Sequence, residues 1–251
     1  MALREWIIGD ETAMDMFARL EKARPVRRPL KPPLHRVPLF PGNVLELSGP
    51  SPSGKTHLLM QAAIDAIVPE EYGGSGRVIF FIDIDCRFDV LRLASLLKHH
   101  LHSSAGETLH HQIKKEMEDQ KVGVSSLIID SLGAFYWLDR ASPYHHGENY
   151  RKCFSHQHVT EAMVHEIKKL VDSYPLLVMV SKSNIYSDKQ TGSNTEWDSS
   201  HARDYMPSVW QKFVTHKVML RPSGPITFHL KWLLPPLDCL DSFSITDVSI
   251  S

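Results

Sequence analysis

Residues Gly49 to Thr56 read GPSPSGKT and match the pattern G-x-x-x-x-G-K-[ST]. In such a loop successive backbone N–H groups point inward, and the positive end of the helix that follows helps them hold phosphate. Gly49, Pro50, Ser51, Pro52, Ser53, Gly54, Lys55 and Thr56 are therefore the candidate nucleotide contacts. Gly54 lets the backbone approach closely, Lys55 can reach the β- and γ-phosphates, and the Thr56 hydroxyl can hold Mg²⁺. Pro50 and Pro52 lack an N–H, so two positions of the loop cannot donate. Metal-bound phosphate also calls for an acid, and SLIIDS supplies Asp130 at the carboxyl end of an apolar strand. A water-activating carboxylate belongs on the strand between these two, where VIFFIDIDCRFDVLRL offers Asp83 and Asp85. Alternation puts both on one face if the strand runs that far, and Asp85, the more terminal, is the candidate catalytic group. An N-cap for the following helix is the alternative role for it. The expected cofactors are ATP and Mg²⁺.

These groups need a scaffold that brings strand ends together. From Asn43 onward strand-like and helical runs alternate: Val44–Ser48, a helix from Lys55 to Ile67, Val78–Asp83, a helix from Phe88 to His102, Ser126–Asp130, a helix about His158–Ser173, and Leu176–Val180. That alternation predicts an α/β fold, a mostly parallel sheet flanked by helices. VWQKFVTHKVML and ITFHLKWLL flank the turn-forming RPSGP, which predicts a C-terminal antiparallel extension. Three parts follow: residues 1–41 as an N-terminal arm and proline-rich linker, 42–237 as the core, and 238–251 as a polar, frayed tail. In the arm, Ala13, Phe17 and Leu20 make one apolar stripe on a short helix. Prolines from Pro25 to Pro41 keep the linker extended.

The totals exclude some classes. With 28 Lys+Arg against 29 Asp+Glu in 251 residues the formal net charge is −1, so no global basic field points to nucleic acid. Cys86, Cys153 and Cys239 are too few for a disulfide framework and read as free thiols. The N-terminus carries Asp10 and Glu11 where a signal peptide needs an apolar run, and nothing later is long and apolar enough for a membrane, so a soluble, intracellular chain is expected. Cys153, His156 and His158 sit close together, but zinc sites need a second such pair and none is visible. The linker RPVRRPLKPPLHR has six basic residues, His35 included, and no acid; a solvated linker is the default, nuclear import or DNA phosphate the functional alternative.

The order GPSPSGKT, FIDIDCRFDVLRL, LIIDSLGAFYWLDR, LLVMVSKS and SVWQKFVTHKVMLRPSG resembles the RecA-type recombinases of eukaryotes and their paralogues, over most of the chain. The resemblance implies a RecA-like P-loop NTPase core, a nuclear role in homologous-recombination repair of double-strand breaks and meiotic recombination, and a complex with sister paralogues, the D paralogue as direct neighbour. It implies contact with single-stranded or branched DNA through two loops: SPYHHGENYRKC, with Tyr144, Arg151 and Lys152, and IYSDKQTGSNTEWDSSHARDYMPS. Three departures bear on activity. The family has glutamate where Asp85 stands, and Thr-Asn-Gln where this chain has Ser181, Lys182 and Ser183. It also has a strand and helix between Asp85 and Asp130 that this chain lacks; the resemblance implies that the missing strand would lie at a sheet edge, leaving a new edge exposed. Binding of ATP with weak or absent hydrolysis is the expectation. An autonomous P-loop NTPase or kinase, or an adapter with a vestigial loop, are the alternatives.

Overall fold

The computed structural model describes residues 30–102, 124–136, 156–186 and 202–246. The apolar stripe of the arm, Tyr144, Arg151, Lys152 and Cys153, most of the second loop and the last five residues lie outside these. In chain order the elements are β1 (Val44–Gly49), α1 (Lys55–Ile67), β2 (Val78–Asp83), α2 (Val90–His102), β3 (Val124–Leu132), α3 (His156–Ser173), β4 (Leu177–Ser183), β5 (Ile185–Tyr186), β6 (Ala202–Arg203), α4 (Ser208–Phe213), β7 (His216–Pro222), β8 (Thr227–Leu234) and β9 (Pro236–Ser244).

Seven strands form one sheet in the order β2-β3-β4-β1-β7-β8-β9. The first five are mutually parallel, whereas β7, β8 and β9 run antiparallel in turn. The expected α/β sheet with an antiparallel extension is present. β1 and β4 are buried along almost their whole length, as strands covered by helices on both faces must be. On one face Leu58, Leu59, Ala62 and Ala63 of α1 pack on Leu45, Leu47, Ile128 and Met179. On the other, Val164 and Ile167 of α3 and Trp210 of α4 pack on Leu127, Ile129, Val178 and Val180.

Three boundaries differ from the sequence reading. Residues 30–41 belong to the core, because Leu34 and Leu39 are buried in it and Leu34–Arg36 forms a single 3₁₀ turn. Two linker cations have partners there: Lys31 pairs with Asp65 at 2.8 Å, and Arg36 Nη2 reaches Asp241 at 2.6 Å. The tail is not frayed through residue 244, since β9 pairs with β8 from Thr227↔Ser244 to Leu233↔Pro236 and buries Phe243. The VWQKF stretch is the short helix α4 rather than strand, capped in sequence by Pro207 and turned so that Trp210 enters the core.

Among the described residues β2 forms one edge of the sheet and β9 the other. Ile79 and Phe81 face the core, while Val78, Phe80 and Ile82 alternate with them and are exposed, Phe80 to 58%. Among the described residues no strand pairs outside β2.

Candidate nucleotide site

Because β1, β2, β3 and β4 are parallel, their carboxyl ends open on the same side of the sheet, where α/β folds collect ligand-binding groups. There Ser51–His57, Asp85, Arg87, Ser131–Tyr136, Ser183, Asn184 and Tyr205 line a cleft of about 720 Å³. The loop is locally determined. Gly54 caps α1 with φ +80°, a conformation that glycine adopts freely. A Cβ on Gly54 would fall 2.6 Å from Ile245 Cδ1, just beyond β9, so the C-terminal strand bounds the loop from behind. Gly49 is confined too, as a Cβ there would meet the Leu220 carbonyl oxygen at 2.4 Å.

Lys55 Nζ donates to the carbonyl oxygens of Gly49 at 3.0 Å and Pro50 at 2.8 Å, and to Ser53 Oγ at 3.1 Å. Burial pushes its ammonium down to about 8, against the attraction of Asp130. Thr56 Oγ1 donates to Asp130 Oδ2 at 2.7 Å. Asp130 is buried, and its other oxygen accepts from Ser181 Oγ, which in turn accepts from the Ser131 N–H at 2.8 Å. The sequence reading thus put Thr56 and Asp130 in one place, and the structure brings them into direct contact. Of the loop residues, Ser51 to Thr56 face the cleft, whereas Gly49 and Pro50 supply the carbonyls that hold Lys55.

The two aspartates after β2 part company. The strand ends at Asp83, whose Oδ2 accepts from the Phe88 N–H at 2.6 Å and closes the turn. Asp85 lines the cleft. The N-cap bond of α2 is made by Asp89, whose Oδ1 accepts from the Arg92 N–H at 3.0 Å, so Asp85 does not hold that role. Burial, then the neighbouring Asp83 carboxyl, pushes the Asp85 carboxyl up, while the Ser131 hydroxyl opposes the shift.

Ser183 faces the cleft but Lys182 does not. Lys182 points into the sheet's other side, where its Nζ lies 3.2 Å from Glu46 Oε1 and 2.5 Å from Asp204 Oδ1. Lys217 joins the same two carboxylates at 3.1 and 2.9 Å, and Trp210 Nε1 donates to Glu46 Oε2 at 2.7 Å. Sequence reasoning named Ser181 and Lys182 only as departures from the family and passed over this network and the Ser181 bond to Asp130. A lone Glu46 between Leu45 and Leu47 in a buried strand was the available signal, because a buried charge requires a partner. Tyr205 joins the network to the cleft: Lys182 Nζ lies 5.6 Å from the centre of its ring, its hydroxyl donates to the Leu132 carbonyl at 3.0 Å, and its ring lies 4.6 Å from that of Tyr136.

The oxygen donors of Thr56 and Asp130, beside a loop lysine, suit a hard divalent cation with a polyphosphate. Among the described residues no group of His, Cys, Asp and Glu is arranged to hold a metal by itself, and no helix is long and apolar enough to cross a membrane. His156 and His158 lie on the first turn of α3.

No family model matches the chain. It is 35% identical over 334 residues to the DNA repair protein XRCC2 homolog of Arabidopsis thaliana, a match that covers 98% of this chain and 89% of that protein. The matched length exceeds the 251 residues of this chain, so the plant protein has residues with no counterpart here. To the mouse DNA repair protein XRCC2 it is 28% identical over 240 residues, 83% of each protein. A RecA-like sheet, a phosphate loop at its carboxyl edge and identity along nearly the full length agree, and the chain belongs to the XRCC2 family of DNA repair proteins.

Proposed function

We propose that this protein is an ATP-binding subunit of a recombinase-paralogue complex that assists homologous-recombination repair in the nucleus. One observation carries the nucleotide part: Lys55 and Thr56 line the cleft, and Thr56 is hydrogen-bonded at 2.7 Å to the buried Asp130 behind it. The repair part rests on the family.

Ser51 to Thr56 would hold the phosphates, and Thr56 with Asp130 would hold Mg²⁺, which when bound neutralises phosphate charge and polarises the terminal group. Lys55 supplies a cation whose charge a phosphate would restore, reversing the depression that burial causes. Ser181 fixes the Asp130 carboxylate from behind. Asp85 is the carboxylate positioned to accept a proton from water. Its carboxylate is one methylene shorter than the glutamate of the resembling family, and Ser183 lacks the reach of that family's glutamine, so binding outlasts turnover. DNA is engaged through the assembled complex, with the D paralogue as the direct neighbour, docked by the arm's Ala13, Phe17 and Leu20.

The experiment is nucleotide titration of the purified chain with turnover measured in parallel. Mg²⁺–ATP should raise Tm and Lys55→Ala should abolish the shift, while turnover stays well below about 1 s⁻¹ with or without single-stranded DNA. No shift at saturating nucleotide would leave an adapter with a vestigial loop. Brisk hydrolysis lost in Lys55→Ala would show an autonomous NTPase.

A further inference from the structure

We infer that Arg87 is a second phosphate-binding cation of the cleft and that it selects a nucleoside triphosphate over the diphosphate. The inference rests on the nucleotide reading above and adds a residue to it.

Arg87 lines the same cleft as Lys55 and Thr56. The backbone brings it there. Between Asp85 and Arg87, Cys86 adopts φ +56°, a left-handed conformation uncommon for a residue with a Cβ. In an extended chain residues two apart would share a face at the full strand spacing; here the turn sets Asp85 and Arg87 side by side at the cleft wall. Arg87 Nε lies 3.5 Å from Asp85 Oδ2, and the arginine side chain is 79% exposed. An exposed pair at that distance holds its arginine loosely, since solvent screens it and the side chain loses freedom to make it. The guanidinium is thus free to exchange a carboxylate for a phosphate oxygen, for which its planar donor fork is suited.

Charge favours that exchange. Arg87 is the arginine among the residues that line the cleft, and a guanidinium presents five donors in a fixed fork to phosphate oxygens. It stands beside Asp85, the carboxylate placed to face the attacking water, and so on the side where a terminal phosphate lies rather than at the inner end of the loop. A diphosphate, held by Ser53 to Thr56, would not need it.

The test is calorimetric titration of the full chain with Mg²⁺–ATP, a non-hydrolysable Mg²⁺–triphosphate analogue and Mg²⁺–ADP, for wild type, Arg87→Ala and Arg87→Lys. Arg87→Ala should weaken both triphosphates by about tenfold or more, the size of one charge-assisted hydrogen bond, and leave Mg²⁺–ADP within about twofold. Arg87→Lys should recover part of the loss. The ligand-free Tm should be unchanged, because Arg87 is exposed. Equal weakening of all three ligands, or no weakening of any, overturns the inference while the nucleotide reading stands. Failure of the wild type to bind any of them overturns both.

Discussion

Thr56 Oγ1 and Asp130 Oδ2, 74 residues apart, meet at 2.7 Å and so join the first turn of α1 to the end of β3. The contact fixes two oxygen atoms together before any cation arrives, which removes part of the ordering cost of binding one. Asp130→Asn keeps the shape but replaces one acceptor by a donor, so either Thr56 or Ser181 must turn its hydroxyl away. We expect ligand-free stability to fall by about 1–3 kcal/mol. The Tm gain from adding Mg²⁺ to ATP should disappear, and Thr56→Val should behave alike. A retained Mg²⁺-dependent gain in both variants would place the cation elsewhere.

Lys55 gives a signed pH dependence. Its folded value of about 8 lies below the ordinary 10.5, so the unfolded chain binds more protons between those two values. The penalty is therefore complete below about pH 8 and is relieved as pH rises toward 10.5. Relative to Lys55→Met, wild type should gain stability across that window, by at most about 3 kcal/mol. Urea denaturation of both proteins at pH 7, 9 and 10.5 measures the difference. Parallel curves for the two would show that the ammonium is as well solvated folded as unfolded.

The Glu46, Lys182, Asp204 and Lys217 network makes a prediction about stability without one about nucleotide. Glu46 and Lys182 are each 1% exposed. Removing one member leaves an uncompensated buried charge, which costs about 3–5 kcal/mol. Lys182→Met should do so, and Glu46→Gln in the same chain should return part of the loss. A double-mutant cycle on chemical denaturation reads the coupling. Strictly additive losses would mean that the pair is solvated, not buried.

The β2 edge predicts behaviour in concentrated solution. Val78, Phe80 and Ile82 present an exposed apolar row along a strand that has no neighbour on one side among the described residues, a combination that invites edge-to-edge association. Phe80→Lys should lower the concentration-dependent sedimentation of the isolated chain and change its Tm little, because Phe80 is 58% exposed. Undiminished association would move the sticky surface elsewhere.

Sequence by itself determined what short-range physics specifies. The phosphate loop is written in eight consecutive residues, and the alternation of strand and helix periods from Val44 to Val180 matches the observed elements to within a few residues. Asp130 was legible because it follows an apolar run. Period and turn chemistry act over a few residues, so they can be read without the fold.

Tertiary structure decided what depends on partners far apart in the chain. The sequence DCLDSFS is polar enough to read as a tail, yet β8 offers an edge and Phe243 a place in the core, and pairing overrides composition. Leu34 and Leu39 join the core although their neighbours are prolines, because a proline-rich segment is rigid but not excluded from packing. Lys182 reads as part of a nucleotide sensor by position; only the presence of Glu46 on the adjacent strand and of Asp204 near the end of the second loop turns it into a buried ion-pair partner. A side chain's role is set by the charge it meets, and that charge arrives with the fold.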